Sequence, residues 1–572
     1  MRGAPEGGRL EENCSEMSRP GITVAEALLN ELRRAGADTI FGIISIHNIP
    51  IFDALQRHGG FRVVSARHEG AAVNMADAYA RVSGKLGVAV TSTGSGAGNA
   101  AGALIESWNG GAPVLHVTGQ VASQLADTER GYIHDCKGQL SMLESIGKSA
   151  HRVRRAEQAP AVFRKAILQC MSPPTGPVSV EIPIDFQAAL IDYPAIVSAG
   201  VPPAVPSDRE LAAAVDKMAA ARRPILWAGG GAMLSDSSPE VRELMEMLDA
   251  AVITTQSGRG IVPETDARCI GHFATYPALK HWIHTGDLLI SAGVRFRGNE
   301  TSNWTLAPPA EHIGIDADPA AINRNFPHSI GLVGDAKATL AAIVRLLRER
   351  GVKPKNDYRE EVSKLRSELR AGLRDTLGPW ESVLDAIREV MPEDAILVRD
   401  VTVPATVWGA RLVERHAART TVHASAGGIG QGLPMAIGAQ VAQPDKTVVL
   451  MAGDGGFLLN IGEMAVARHE NAPVVVILFD DDGYGVLRNI QNAHFEGRTI
   501  GVDMKSPDFV SIAHAFGFGS RRVRSAGEFR TVFAEAIESR QPWMVVVDSG
   551  AIGPMKKIFA GPDGGAELYK PH

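Results

Sequence analysis

Cysteine is scarce: Cys14, Cys136, Cys170 and Cys269 are the four in 572 residues, and no two of them form a Cys-x-x-Cys pair. That spacing fits neither a disulfide framework nor a zinc site, so the thiols read as ordinary reduced side chains. Long apolar runs are missing too. No window approaches the about 18 uninterrupted apolar residues that a membrane span needs. The opening MRGAPEGGRLEENCSEMSRP lacks the apolar core of a signal peptide, so the expectation is a soluble cytoplasmic protein with a disordered lead-in over residues 1–20. Neither sign of charge dominates, since 58 Lys and Arg face 64 Asp and Glu for a net charge of -6. With like charges only in short clusters, neither nucleic acid nor membrane is expected as a partner.

What the chain does have is alternation. At 572 residues and 45% hydrophobic it is long enough for about three cores. Short runs rich in Val and Ile, such as FRVVSA, LGVAVTST, APVLHVTG and PVSVEIP, alternate with longer stretches such as EGAAVNMADAYARVSG and GNAAGALIESWNG. Continuous apolar strands separated by helices make a parallel sheet covered on both faces. The pattern predicts one such unit over residues 21–190, a second over 205–348 and a third over 377–555. AALIDYPAIVSAGVPPAVPSD reads as a linker, residues 349–376 as a charged helical connector, and 556–572 as a C-terminal tail. The expected fold class is α/β, with three consecutive doubly wound parallel-sheet domains.

The stretch GDGGFLLN, Gly453 to Asn460, follows the apolar run KTVVLMA. A strand ending in glycine-rich backbone at a helix start offers free N–H donors and a positive dipole, which suits a phosphate. A carboxylate there repels the phosphate unless a divalent cation sits between them. Mg²⁺ takes oxygen ligands and is commonly shared between one or two carboxylates and substrate phosphates, so Asp454 reads as a metal ligand. The next strand, APVVVILF, ends in DDDGYG. Adjacent parallel strands bring their C-terminal ends to one edge, which places Asp480, Asp481 and Asp482 beside Asp454. Taken singly, each motif is equally an ordinary Asp-Gly turn.

Taken together, GDG and the acidic DDDGYG turn resemble the thiamine-diphosphate signature of the pyruvate decarboxylase and acetolactate synthase superfamily. The resemblance implies that Asp454, Asp481 and the carbonyl of Gly483 hold Mg²⁺, with Gly453, Gly455, Gly456 and Tyr484 beside the cofactor. This chain has Asp480 and Asp481 where the family usually has two asparagines. SARHEGAAVNMADAYARVSGK looks like the family's stretch carrying the glutamate that contacts the aminopyrimidine, which gives Glu69 the proton-handling role. A carboxyl bonded to that ring shifts it to a tautomer whose own amine removes the thiazolium C2 proton. Without the resemblance, Glu69 is a carboxylate favoured by the dipole at a helix start. SAGGIGQGLPMAIGA places Ile429 where the family bends the cofactor over a bulky apolar side chain, and DVTVPATVW corresponds to a diphosphate-contacting loop with Thr402 and Val403. FGI with Asn48 to Pro50, TSTGSGAGN, APVLHVTGQ up to Gln120, and GPVSVEIPIDFQ look like the pyrimidine-binding domain. PILWAGGGA, TTQSGRGIVPE, LLISAGVRF and GIDADP look like the middle domain, which leaves the third unit as the diphosphate-binding domain. In this family the glutamate and the metal site come from different subunits, which implies a homodimer or homotetramer with a shared active site.

The residues that distinguish members of the family are mixed. FGIISIHN lacks the Pro-Gly that usually follows FG and puts Ile46 and His47 in the loop near the substrate. RGYIHDCKGQLSMLESIGK resembles the region where acetolactate synthases carry Phe-Gln-Glu and some decarboxylases carry histidines. His134 is thus the candidate for proton delivery or for holding a substrate carboxylate, with Gln120 as a further catalytic candidate; a lone histidine is otherwise structural. YGVLRN is closer to benzoylformate and guanidino-oxo-acid decarboxylase types, and RFRGNETSNW departs from the RFDDR pattern of acetolactate synthases, so bound FAD is not expected. The leading expectation is non-oxidative decarboxylation of a 2-oxo acid through an enamine, releasing an aldehyde. The alternative is an acetolactate-synthase-like carboligase, in which the same enamine attacks a second carbonyl. A nucleotide-binding module without catalysis has only GAGNAA, Gly96 to Ala101, in its favour, with no well-placed acidic residue about 20 positions on.

Overall fold

The apolar runs become central strands. VLHVTGQ (Val114–Gln120), VSVEIP (Val178–Pro183) and VVVILFD (Val474–Asp480) are buried along their whole length, because helices cover both faces of a parallel sheet. The computed structural model describes residues 21–193, 202–355 and 358–561. The expected lead-in, part of the linker and most of the tail lie outside the described residues.

Three six-stranded sheets follow one another, and within each the neighbouring strands are parallel. The first holds strands Thr39–Gly42, Arg62–Ser65, Gly87–Thr91, Val114–Gln120, Ser149–Arg152 and Val178–Pro183. The third holds Ile396–Arg399, Thr421–His423, Val448–Gly453, Val474–Asp480, Gly519–Val523 and Trp543–Asp548. With strands counted along the chain, both run 2-1-3-4-6-5 from edge to edge, whereas the middle sheet runs 3-2-1-4-5-6. The first and third units therefore share one topology and the middle unit has another.

The two outer units meet through a pair of helices with almost no polar face. EGAAVNMADAYARVS (Glu69–Ser83) and GLPMAIGAQVA (Gly432–Ala442) are buried on nearly every side, as helices between two layers must be. A Cβ at Gly438 would collide with the carbonyl oxygen of Met75, so only glycine allows this approach. One continuous core runs through this contact, from Phe41, Val64 and Met75 to Met435, Leu450 and Val476. A second core joins the middle and third units, with Trp227, Trp408 and Phe479 packed together with the connector helix Arg359–Arg374 through Val362, Leu365, Leu369 and Leu373. GAGNAA lies inside the helix Ser95–Gly110.

Candidate active site

In open α/β sheets, ligands bind beyond the carboxyl ends of the strands where the strand order reverses. In the third sheet that reversal lies between Ile396–Arg399 and Val448–Gly453, so the loop from Asp400 to Val403 faces the one from Gly453 to Gly456. Thr402 packs over Gly453, its Oγ1 lying 3.1 Å from where a Cβ would stand. Asp454, 2% exposed, opens the helical turn that follows. Its Oδ2 accepts the N–H of Gly483 at 2.8 Å and the hydroxyl of Ser506 at 2.9 Å. Its Oδ1 is buried with no partner, a state that costs free energy until something positive meets it.

The turn after Val474–Asp480 supplies the rest. Burial, and then the charge of Asp454, push Asp481 up to about 7, against which Arg488 acts with Nη1 4.0 Å from Oδ2. Burial also raises Asp454 above the ordinary carboxylate range. A Cβ at Gly455 would stand 2.8 Å from the Tyr484 ring and 3.1 Å from the carbonyl oxygen of Gly483, so the glycine is what lets that carbonyl approach the Asp454 turn. A cavity of about 540 Å³ is lined here by Thr402, Val403, Asp480, Asp481, Ser506 and Arg522, among others. No group of three or more His, Cys, Asp or Glu side chains suited to a metal occurs among the described residues. Two carboxylates and a nearby main-chain carbonyl fit a hard cation that completes its shell with water and phosphate, as Mg²⁺ does. Ile429 is 36% exposed and sits over Gly456 rather than in the core. Its loop is held by Asp400, whose oxygens accept the N–H groups of Gly430 at 3.1 Å and Gly432 at 3.0 Å.

The matching reversal of the first sheet lies between Thr39–Gly42 and Gly87–Thr91. Its first loop is pinned by Asn48, which donates to the carbonyls of Ile43 and Thr91 at 3.0 and 3.1 Å and accepts from the Ser45 N–H at 2.7 Å. His47, 4% exposed, leaves Nδ1 buried and unpartnered. Its ring stands edge-to-face against His134 with centroids 5.1 Å apart, and burial, then His134, pull it below the usual histidine value. His134 has a φ of 67°, and its carbonyl sits against Gly94 in the second loop. Gln120 is buried at its strand end, its Oε1 accepting from the Val121 N–H at 2.7 Å and from Thr93 Oγ1 at 3.2 Å. Glu69 opens its helix and accepts from Asn99 Nδ2 at 3.0 Å.

The expected residues thus gather in two clusters, one at each outer sheet. Among the described residues, Glu69 forms no hydrogen bond or ion pair with the Asp454 loop. Sequence reasoning missed Ser506, Arg488, Arg522, Asn99 and Asp400. Asn99 in TSTGSGAGN, Arg488 in YGVLRN and Asp400 in DVTVPATVW lie within segments that the sequence singles out, whereas nothing in it marks Ser506 or Arg522.

The chain is similar to known proteins in all three units. Residues 22–142 match the thiamine pyrophosphate enzyme N-terminal TPP binding domain, 211–343 its central domain and 404–547 its C-terminal TPP binding domain. A probable acetolactate synthase large subunit of Methanocaldococcus jannaschii is 31% identical over 93% of both chains. A probable 2-ketoarginine decarboxylase of Pseudomonas aeruginosa is 32% identical over 89% of this chain and 90% of its own. Acetolactate synthase isozyme 3 large subunit of Escherichia coli is 29% identical over 92% of this chain and 94% of its own. With three matched domains in order and relatives along nearly its whole length, the chain belongs to the thiamine pyrophosphate enzyme family.

Proposed function

We propose that the protein is a thiamine-diphosphate- and Mg²⁺-dependent enzyme that removes CO₂ from a 2-oxo acid and joins the remaining fragment to a second carbonyl compound, as an acetolactate-synthase-like carboligase. The observation that carries the cofactor reading is the unpartnered Asp454 Oδ1 beside Asp481 and Gly483. The ligating outcome draws its support from acetolactate synthase large subunits related over 93% of both chains. In this reading Asp454, Asp481 and the Gly483 carbonyl hold Mg²⁺, and Gly453, Gly455, Gly456, Thr402, Val403 and Tyr484 line the diphosphate. Thiamine diphosphate, when bound, supplies the nucleophilic carbon and the electron sink that loss of CO₂ requires. Glu69, anchored by Asn99, would hold a proton at the cofactor's ring, Ile429 would support the cofactor from beside Gly456, and Gln120 and His134 would serve the substrate. Because the family takes the glutamate and the metal site from different subunits, the reading includes a homodimer or homotetramer in which two subunits build each site. FAD is left out of this reading because RFRGNETSNW departs from the RFDDR pattern of acetolactate synthases.

A second reading, release of an aldehyde, is favoured by the His47–His134 pair, which places two imidazoles where the first sheet's order reverses. The test is product analysis by chromatography with thiamine diphosphate and Mg²⁺, first with pyruvate alone and then with 2-oxo acids bearing longer or guanidinium side chains. Acetolactate or a mixed hydroxyketone supports the carboligase. Aldehyde alone supports the second reading, and no CO₂ from any 2-oxo acid sinks both.

A further inference from the structure

Each outer unit sends a buried carboxylate to the functional loop of the other. Glu106, 1% exposed on the helix Ser95–Gly110 of the first unit, accepts the N–H of Ala426 at 2.7 Å and of Gly428 at 2.9 Å, immediately before Ile429. Glu463, 1% exposed at the end of the segment Leu458–Glu463 of the third unit, accepts the N–H of Arg67 at 3.1 and 3.3 Å, two residues before Glu69. The two acids are topological equivalents: each lies in the helical segment after the third strand of its own sheet and reaches the loop after the second strand of the other.

A carboxylate with no access to water is costly unless hydrogen-bonded, and packing alone would be served by an apolar side chain. Among the described residues, the hydrogen bonds of both carboxylates go to the opposite unit. The helix Ser95–Gly110 also carries Asn99, about two turns before Glu106 and bonded to Glu69, so one rigid element references both functional loops. The segment that ends at Glu463 follows directly on the turn that begins at Asp454, so the metal loop and the glutamate loop are referenced to one another as well.

We propose that Glu106 and Glu463 are reciprocal positioning residues, Glu463 setting the backbone from which Glu69 projects and Glu106 the backbone that presents Ile429. The inference rests on the roles given above to Glu69 and Ile429. The first test uses the protein without cofactor: amide hydrogen–deuterium exchange read by mass spectrometry in Glu106→Ala and Glu463→Ala. The effects should cross. Glu463→Ala should speed exchange at residues 67–69 of the first unit at least tenfold, and Glu106→Ala should do so at residues 426–429 of the third, with little change at the other loop. The second test follows function. Glu106→Ala should raise the thiamine diphosphate dissociation constant at least tenfold. Glu463→Ala should shift that constant less than twofold and slow deuterium exchange at the cofactor's C2 at least tenfold. Glu106→Gln and Glu463→Gln, which keep one acceptor and guard against misfolding, should recover part of each effect. Loops loosened alike by both variants, or by neither, overturn the inference. Slow C2 exchange in Glu69→Gln with normal exchange in Glu463→Ala overturns it alone, whereas normal exchange in Glu69→Gln overturns the underlying role of Glu69 and the inference with it.

Discussion

The Arg522 guanidinium lies 2.7 Å from Asp480 Oδ2, while the hydroxyl of Ser506 lies 2.8 Å from the other oxygen. The acid that stands where the family usually has an asparagine is therefore a paired charge. Arg522→Met should leave Asp480 buried and unbalanced, at a cost of about 2 kcal/mol, discounted for the partial exposure of Arg522. Adding Asp480→Asn should return most of the loss. Chemical denaturation of the single and double variants measures this, and a double variant no more stable than Arg522→Met would show that Arg522 balances some other group.

Asp454 and the diphosphate repel each other without a cation, so thiamine diphosphate should bind only with a divalent metal. Calorimetric titration in EDTA should show little heat, and Asp454→Ala should behave as metal removal does. Tight binding in EDTA would refute the assignment of Asp454, Asp481 and Gly483 to Mg²⁺.

His134 and His47 form one pair, and truncating the more exposed ring should act on product partition before it acts on CO₂ release. His134→Ala should shift products of a single 2-oxo acid toward the ligated hydroxyketone while the CO₂-releasing step persists. Chromatography of products with and without added pyruvate reads the ratio. An unchanged ratio removes His134 from proton delivery.

His116 lies in a central strand with Nε2 2.9 Å from Thr91 Oγ1 and Nδ1 3.0 Å from Ser179 Oγ, and burial pulls it from 6.5 to about 4. Its folded value lies below its unfolded one, so the stability it contributes is fully present above pH 6.5 and is lost as pH falls from there toward 4. The loss approaches about 3 kcal/mol at the acid end. His312, pulled to about 3 by burial and His328, adds to the same trend. The apparent Tm should fall between pH 7 and pH 5, and His116→Gln should flatten that slope while lowering the Tm at pH 7. A slope unchanged by the substitution would show that His116 does not titrate on unfolding.

The sequence by itself determined the three α/β units, because strand and helix periodicity is a local property that survives without any knowledge of neighbours. It also determined that Asp454 and Asp481 meet, since both end apolar strands and parallel strands present their C-terminal ends on one edge. Strand order was beyond it: the same alternation of strand and helix builds 2-1-3-4-6-5 in the outer units and 3-2-1-4-5-6 in the middle one. Ser506, 52 residues from Asp454, reaches it because the N–H groups of Tyr484 and Met504 donate to the carbonyls of Val502 and Asp482 and hold the two segments together. Arg522 meets Asp480 only because Trp543–Asp548 is the strand between them. Glu106 and Glu463 read as ordinary helix acids until the helices Glu69–Ser83 and Gly432–Ala442 pack and bury them against loops of the opposite unit. Apolar periodicity decides what each segment becomes, whereas long-range packing decides which polar atoms lose water and must find one another, and only the tertiary structure records that choice.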